Sequence, residues 1–219
     1  QAKTLFPYTT LFRSVLFEAP LASSLIGNFV HSVSGGSLYR KATFLVDSLG
    51  KPVFSKNVQI SEKPHLRGGL SSSSFDSDGV ATRDRDVVRD GILQGYFLSA
   101  YTARKLGMQT TANAGGSHNL IIEPGQYDLD GLLAQMGRGL LVTELLGHGI
   151  NYVTGDYSRG AAGYWVENGK IAHPVEEITI AGNLKAMLAG IVAVGNDVQV
   201  RGTKQTGSIL IDRMTIAGE

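Results

Sequence analysis

Two dipeptides constrain this chain more than any other feature: Asp90-Gly91 and Asn168-Gly169, each set between runs rich in apolar and β-branched residues. A two-residue Asp-Gly or Asn-Gly link is the strongest short-range signal for a type I′ hairpin, whose backbone twist suits antiparallel strands. The spacing therefore predicts one hairpin over 85–98 and a second over 163–173. The 28 glycines against 6 prolines in 219 residues fit the same picture of tight turns and close backbone approaches. Further expected strands are 15–17, 53–60, 119–123, 140–145, 150–154, 208–211 and 214–216.

Helical signals are fewer. Leu21, Leu25, Phe29 and Val33 recur every four residues behind Pro20, which a first helical turn tolerates, and Gly35-Gly36 is expected to stop that helix. A second helical or turn-rich piece is expected over 37–48. Ser99–Leu106 before Gly107, Leu129–Met136 behind the capping Asp128, and a segment from Asn183 through Ile191 complete the set. No βαβ alternation and no fixed-period repeat is present. The expected fold class is α+β: a mainly antiparallel, twisted, barrel-like sheet with a few flanking helices.

The absence of cysteine excludes disulfides and every cysteine-containing zinc site from this chain. His-Glu-x-x-His, a phosphate-binding glycine loop and a Gly-x-Ser-x-Gly elbow are all missing. No apolar run is long enough for a membrane helix and no signal-peptide pattern is present, so a cytoplasmic location is expected. The five histidines are scattered. Opposite charges alternate through Arg83-Asp84-Arg85-Asp86 and Arg89-Asp90, which reads as solvent-facing strand decoration and makes a poor footprint for nucleic acid. The densest polar constellation is Thr154-Gly155-Asp156-Tyr157-Ser158-Arg159-Gly160, with His148 nearby in sequence. Asp156, Tyr157, Arg159 and His148 are candidate contacts to a substrate or partner, and Asp156 and Arg159 have the chemistry to orient a peptide terminus. Most charged loop residues find local partners, so these residues read first as a self-contained turn, with Asp156 capping amides and paired to Arg159.

The stretch TLFPYTTLFRS, Thr4–Ser14, resembles the in-frame translation of a sequencing-library adapter, so residues 1–14 are read as an artefactual segment expected to lack tertiary contacts. Without Lys3 and Arg13 the chain has 18 basic and 19 acidic residues. From Val15 onward the sequence resembles the C-terminal half of the TldD/PmbA family, on its PmbA (TldE) side. The resemblance is carried by SGGSLYRKATFLVDSLGK (34–51), FDSDGVATRDRDVVRDGIL (75–93), SAYTARKLG (99–107), TGDYSRGAAGYWVENGKI (154–171), EITIAGNL (177–184) and VGNDV (194–198). It implies that residues 15–219 form a C-terminal domain whose N-terminal domain is missing.

The resemblance further implies a two-subunit cytoplasmic protease acting on unfolded or modified peptides. Its TldD-type catalytic subunit binds zinc through His-Glu-x-x-x-His and a later cysteine. In this chain Phe17 and Ala22 stand where the two histidines would be, only Glu18 remains, and no cysteine exists. A single carboxylate is not a zinc site. The family reading therefore expects no catalytic or metal-ligating residue here, zinc in the partner subunit, and a supporting role in holding peptide. Two other readings are a scaffold or regulatory binding protein without a protease role, and a hydrolase built on an unrecognised site such as Asp156 with His148 or Tyr157.

Overall fold

The computed structural model describes residues 9–218. In chain order the elements are β1 (Thr9–Phe17), α1 (Ala19–Ser32), α2 (Gly35–Tyr39), β2 (Ile60–Glu62), β3 (Arg85–Arg89), β4 (Ile92–Leu93), α3 (Ala100–Leu106), β5 (Leu120–Ile122), α4 (Leu129–Met136), β6 (Gly139–Leu146), β7 (Asp156–Glu167), β8 (Lys170–Asn183), α5 (Leu184–Ala189), β9 (Ile191–Val194), β10 (Lys204–Gln205) and β11 (Ile209–Gly218). They fall into two compact units. Of the described residues, one comprises 9–22, 124–199 and 206–218; the other comprises 23–123 and 200–205.

The first unit is built on a closed sheet. Its strands run β1-β6-β7-β8-β11, and β1 pairs with β11 as well as β6, which closes the ring; β9 adds to β11. Only the β1–β6 contact in this sheet is parallel. Closure removes free strand edges but forces the strands to bend. Bulges supply the bend. One lies between Ala161 and Gly163, where β8 carries an extra residue and Glu177 takes φ 56°; another lies between Arg13 and Val15. On one side α4 packs Leu132, Leu133 and Met136 against Leu16, Leu141, Val166 and Leu210 from the strands.

The expected hairpin at Asn168-Gly169 is present and far longer than its sequence signal: β7 and β8 stay paired from Glu167–Lys170 out to Asp156–Asn183. Asn168 and Gly169 adopt φ 52° and 72°, as a type I′ turn requires. The backbone ladder also runs through Thr9–Arg13, opposite Met214–Gly218. That departs from the expected lack of tertiary contacts in 1–14, because backbone pairing is indifferent to most side chains; Thr4–Tyr8 of the adapter-like stretch lie outside the described residues. The strands expected at 208–211 and 214–216 are one continuous β11.

Turn chemistry overrode propensity at 150–154. Asn151 accepts through its side chain from the amides of Val153 and Thr154, and its carbonyl accepts from Gly155, so this segment folds back as an Asx turn instead of extending. Only Ile150 bridges to β7, at Tyr157.

The second unit holds a five-stranded sheet ordered β10-β5-β2-β3-β4. Its hairpin turns at Asp90-Gly91, both at positive φ. The strand expected at 53–60 forms only at its end. Val53 and Phe54 both donate to the Gly91 carbonyl, so this chain clamps the hairpin turn instead of joining the ladder. A Cβ on Gly91 would lie 2.4 Å from the Phe54 carbonyl oxygen, which demands glycine. Gly35 does not stop a helix. It opens α2 behind the cap Ser34 and lets α3 approach, since a Cβ there would meet Thr102 Oγ1 at 2.2 Å. Helix α3 has a capping box between Ser99 and Thr102 and ends on left-handed Gly107.

Candidate functional site

Phe17 ends β1 with 1% exposure, and Ala22, in the first turn of α1, is fully buried. Between them Glu18 caps the helix by its backbone: its carbonyl accepts from Leu21 and Ala22 at 2.8 and 2.9 Å, and its own amide donates to Val142 at 3.3 Å. An acidic residue here also suits the positive end of the helix dipole. Phe17 and Ala22 are core side chains, and burying a phenylalanine contributes about 1.5–3 kcal/mol. Among the described residues no three His, Cys, Asp or Glu side chains are placed to share a metal ion.

The Thr154–Gly160 constellation is a turn running into β7, and strand alternation splits its residues between two faces. Asp156 and Ser158 are exposed, whereas Tyr157 is buried and Arg159 half-buried. Asp156 accepts from Thr154 Oγ1 at 2.6 Å and from Asn183 Nδ2 at 3.2 Å. These two bonds, Thr154's first, hold its carboxyl below the ordinary value. Asp156 is thus satisfied within the turn, and Arg159 does not pair with it. Arg159 instead lies close enough to Tyr157 and Tyr152 for its positive charge to favour their ionised forms. Burial drives the Tyr157 hydroxyl up to about 12, only partly opposed by Arg159. Burial raises Tyr152 as well. The Arg159 Nε is buried without a hydrogen-bond partner. His148 is exposed, and no hydrogen bond among the described residues joins its ring to Asp156, Tyr157 or Arg159. Gly149 beside it is pressed on β7, where a Cβ would fall 1.8 Å from the Ser158 carbonyl oxygen.

The second unit contains a buried polar centre that the sequence reading missed. Glu62, 1% exposed, accepts from Arg85 Nε at 2.7 Å, Asn113 Nδ2 at 2.8 Å and the His118 amide at 2.8 Å. Arg85 also donates to Asn113 Oδ1 at 3.2 Å and lies over the Phe97 ring at 5.1 Å. Arg85 is therefore not surface decoration. Its neighbours are: Asp84 pairs with Lys63 at 3.3 Å and Asp86 pairs with Arg89, all four partly or largely exposed. A one-residue difference in strand register turns a side chain from solvent to core, and the Arg-Asp alternation alone does not say which arginine points inward. Nearby, Asp76 is buried. Burial works against its charge, but the amides of Ala114, Val80 and Asp78, with His118, outweigh it and hold the carboxyl below its usual value. Together the 71–77 and 114–118 loops line an open cleft of about 330 Å³.

Comparison with known proteins places this architecture. Residues 13–218 match the family model of the PmbA/TldA metallopeptidase C-terminal domain. The chain is 52% identical over 211 residues to the metalloprotease PmbA of Escherichia coli O157:H7, covering 96% of this chain and 47% of that protein. It is 53% identical over 205 residues to a PmbA homologue of Haemophilus influenzae, covering 93% of this chain and 46% of the relative. The chain thus spans about half the length of these relatives. Among solved structures, a candidate modulator of DNA gyrase from Bacteroides thetaiotaomicron superposes with a TM-score of 0.93 at 30% identity, over 100% of this chain and 49% of that one. TldE from Thermococcus kodakarensis shares the fold, with a TM-score of 0.84 at 24% identity over 97% of this chain and 52% of its own. With the family model covering nearly all of it and both bacterial PmbA sequences sharing more than half their aligned residues with it, the chain belongs to the PmbA/TldD metallopeptidase family and comprises that family's C-terminal domain.

Proposed function

We propose that this chain is part of a PmbA (TldE)-type subunit that supports peptide cleavage in a cytoplasmic two-subunit metalloprotease and leaves the metal chemistry to a TldD-type partner. The observation that carries this reading is the state of Phe17 and Ala22. Both are packed in the core at the start of α1, where the family resemblance puts the two histidines of a zinc-binding helix. Neither side chain has a donor atom, and Glu18 alone gives too few ligands. The residues present do not fit a zinc ion, so no step of hydrolysis is routed through this chain. Its part is to complete a substrate chamber for unfolded or modified peptides.

The test is reconstitution. The chain in its full-length form is purified alone and with a TldD-type subunit, and zinc content and peptide cleavage are measured for each. The expected result is sub-stoichiometric zinc and no cleavage alone, with cleavage in the pair that disappears when the partner's His-Glu motif is mutated. Stoichiometric zinc held by this chain alone overturns the proposal. A regulatory reading draws on the naming of one structural neighbour as a candidate modulator of DNA gyrase; it is favoured if the pair assembles but cleaves nothing.

A further inference from the structure

Helices α2 and α3 lie side by side in the second unit, close enough that a Cβ on Gly35 would meet Thr102 Oγ1 at 2.2 Å. Their exposed sides carry an aromatic and cationic patch. Tyr39 and Tyr101 meet edge to face, with ring centroids 6.1 Å apart. Arg40 lies over the Tyr39 ring at 5.3 Å, and Lys105 over the Tyr101 ring at 5.6 Å. Arg104 and Lys105 follow Tyr101 by three and four positions, so α3 sets all three on one side. Tyr101 is 56% exposed, and Arg40, Arg104 and Lys105 are exposed as well.

The charge of this patch is uncompensated. None of the ion pairs among the described residues includes Arg40, Arg104 or Lys105. Asp78, beside the start of α3, is taken up by the Ala100 amide at 2.9 Å. The whole chain carries 20 basic and 19 acidic residues, so three unpaired cations around two phenols are a local excess and no reflection of composition. Stability does not explain the excess, since an exposed cation over a ring contributes only about 0.5–1 kcal/mol. What these contacts do is hold the cation heads beside the rings, which lowers the ordering cost of binding an anion there. The complement is a group of carboxylates at the spacing of the rings. Acidic side chains three or four apart on a helix, about 5–6 Å from each other, supply it. Nucleic acid is a poorer match. Bases stack on open ring faces, and here a cation covers one face of each ring while the rings meet edge to face.

We propose that Tyr39, Arg40, Tyr101, Arg104 and Lys105 form a docking surface for an acidic segment of a partner protein. Carboxylates of that segment pair with Arg40, Arg104 and Lys105, and the Tyr101 ring keeps Lys105 in place to receive them. The inference does not depend on the proteolytic reading, because binding is measured without cleavage.

The experiment titrates the chain into a fluorescein-labelled glutamate-rich dodecapeptide with leucine at every fourth position, beside the same peptide with glutamine for glutamate, and follows anisotropy. The acidic peptide should bind with a Kd on the order of tens of micromolar, and the glutamine peptide about tenfold more weakly or worse. R40Q/R104Q/K105Q should weaken the acidic peptide about tenfold or more, and Y101A several-fold, with circular dichroism and melting temperature unchanged. K56Q/K170Q/R201Q removes three other exposed cations and should stay within about twofold of wild type, which separates a site from general attraction between charges. Acidic and glutamine peptides binding alike, or the two triple variants losing equally, overturn the proposal. Tighter binding of oligothymidylate or of phosphatidylserine vesicles that R40Q/R104Q/K105Q abolishes also overturns it, as does self-association of the chain lost in that variant, because the occupant is then nucleic acid, a membrane or a second copy.

Discussion

At the scale of single residues, what matters is which charges are compensated. Glu62 takes three hydrogen bonds at 1% exposure, and Arg85 is the only cation among them. Removing Arg85 strands a buried carboxylate, which typically costs about 3–5 kcal/mol. R85A should therefore lower the urea midpoint strongly, while R83A, at an exposed site, should fall within about 0.5 kcal/mol of wild type. Tyr157 gives a pH prediction. Its folded value, about 12, lies above the ordinary tyrosine value of 10.0 because burial disfavours the phenolate. The unfolded chain therefore loses this proton first, and the associated stability, intact below pH 10.0, falls as pH rises towards 12. Ultraviolet titration of wild type and Y157F should show one late-ionising phenol missing from the variant. Neither residue's role was legible beforehand. Arg85 sits in a run of alternating charges whose inward member only tertiary register selects, and Tyr157 was grouped with Asp156 although strand alternation sets them on opposite faces.

At the scale of elements, local chemistry was most legible where one conformation leaves few substitutes. Asp90-Gly91, Asn168-Gly169, Gly107 and Asp128 announce turns and caps that the structure contains. Misreadings fell where two local preferences competed. Asn151 turned an apolar segment back on itself, and Val53-Phe54 bonded to a turn instead of a strand. Gly169 offers a test of how far a turn is tied to its surroundings. Its φ is 72°, and an added Cβ would lie 2.8 Å from Ala134 Cα in α4. Gly107 has a similar φ of 65° with nothing within 4 Å. G107A should cost about 1–2 kcal/mol, from the left-handed backbone alone. G169A should cost distinctly more, because α4 must also shift. Thermal unfolding of the two variants side by side checks the difference; equal losses would show that α4 yields freely.

At the scale of the whole molecule, the α+β class and the barrel-like sheet were legible from hairpin signals, but the closure was not. Pairing between β1 and β11 joins residues some two hundred positions apart, and nothing in either strand names its partner. The buried end of β1 can be tested directly: F17A should cost about 3–5 kcal/mol as a large-to-small core change, measured by chemical denaturation. F17H/A22H, which places histidines at both buried positions, should destabilise the fold while leaving zinc content of the chain sub-stoichiometric, since two histidines and Glu18 do not make a zinc site with a cysteine ligand.

The seam between β1 and β11 has a practical corollary. Thr9 and Gly218 are Cα partners across that ladder, so the first and last described residues lie side by side. A linker of a few residues could splice them into one continuous loop, and the polypeptide could be reopened at an exposed glycine turn such as Gly68 or Gly79, where a side chain would meet nothing within 4 Å. Such a rearranged chain would keep every ladder of the ring while travelling around it from a different starting point.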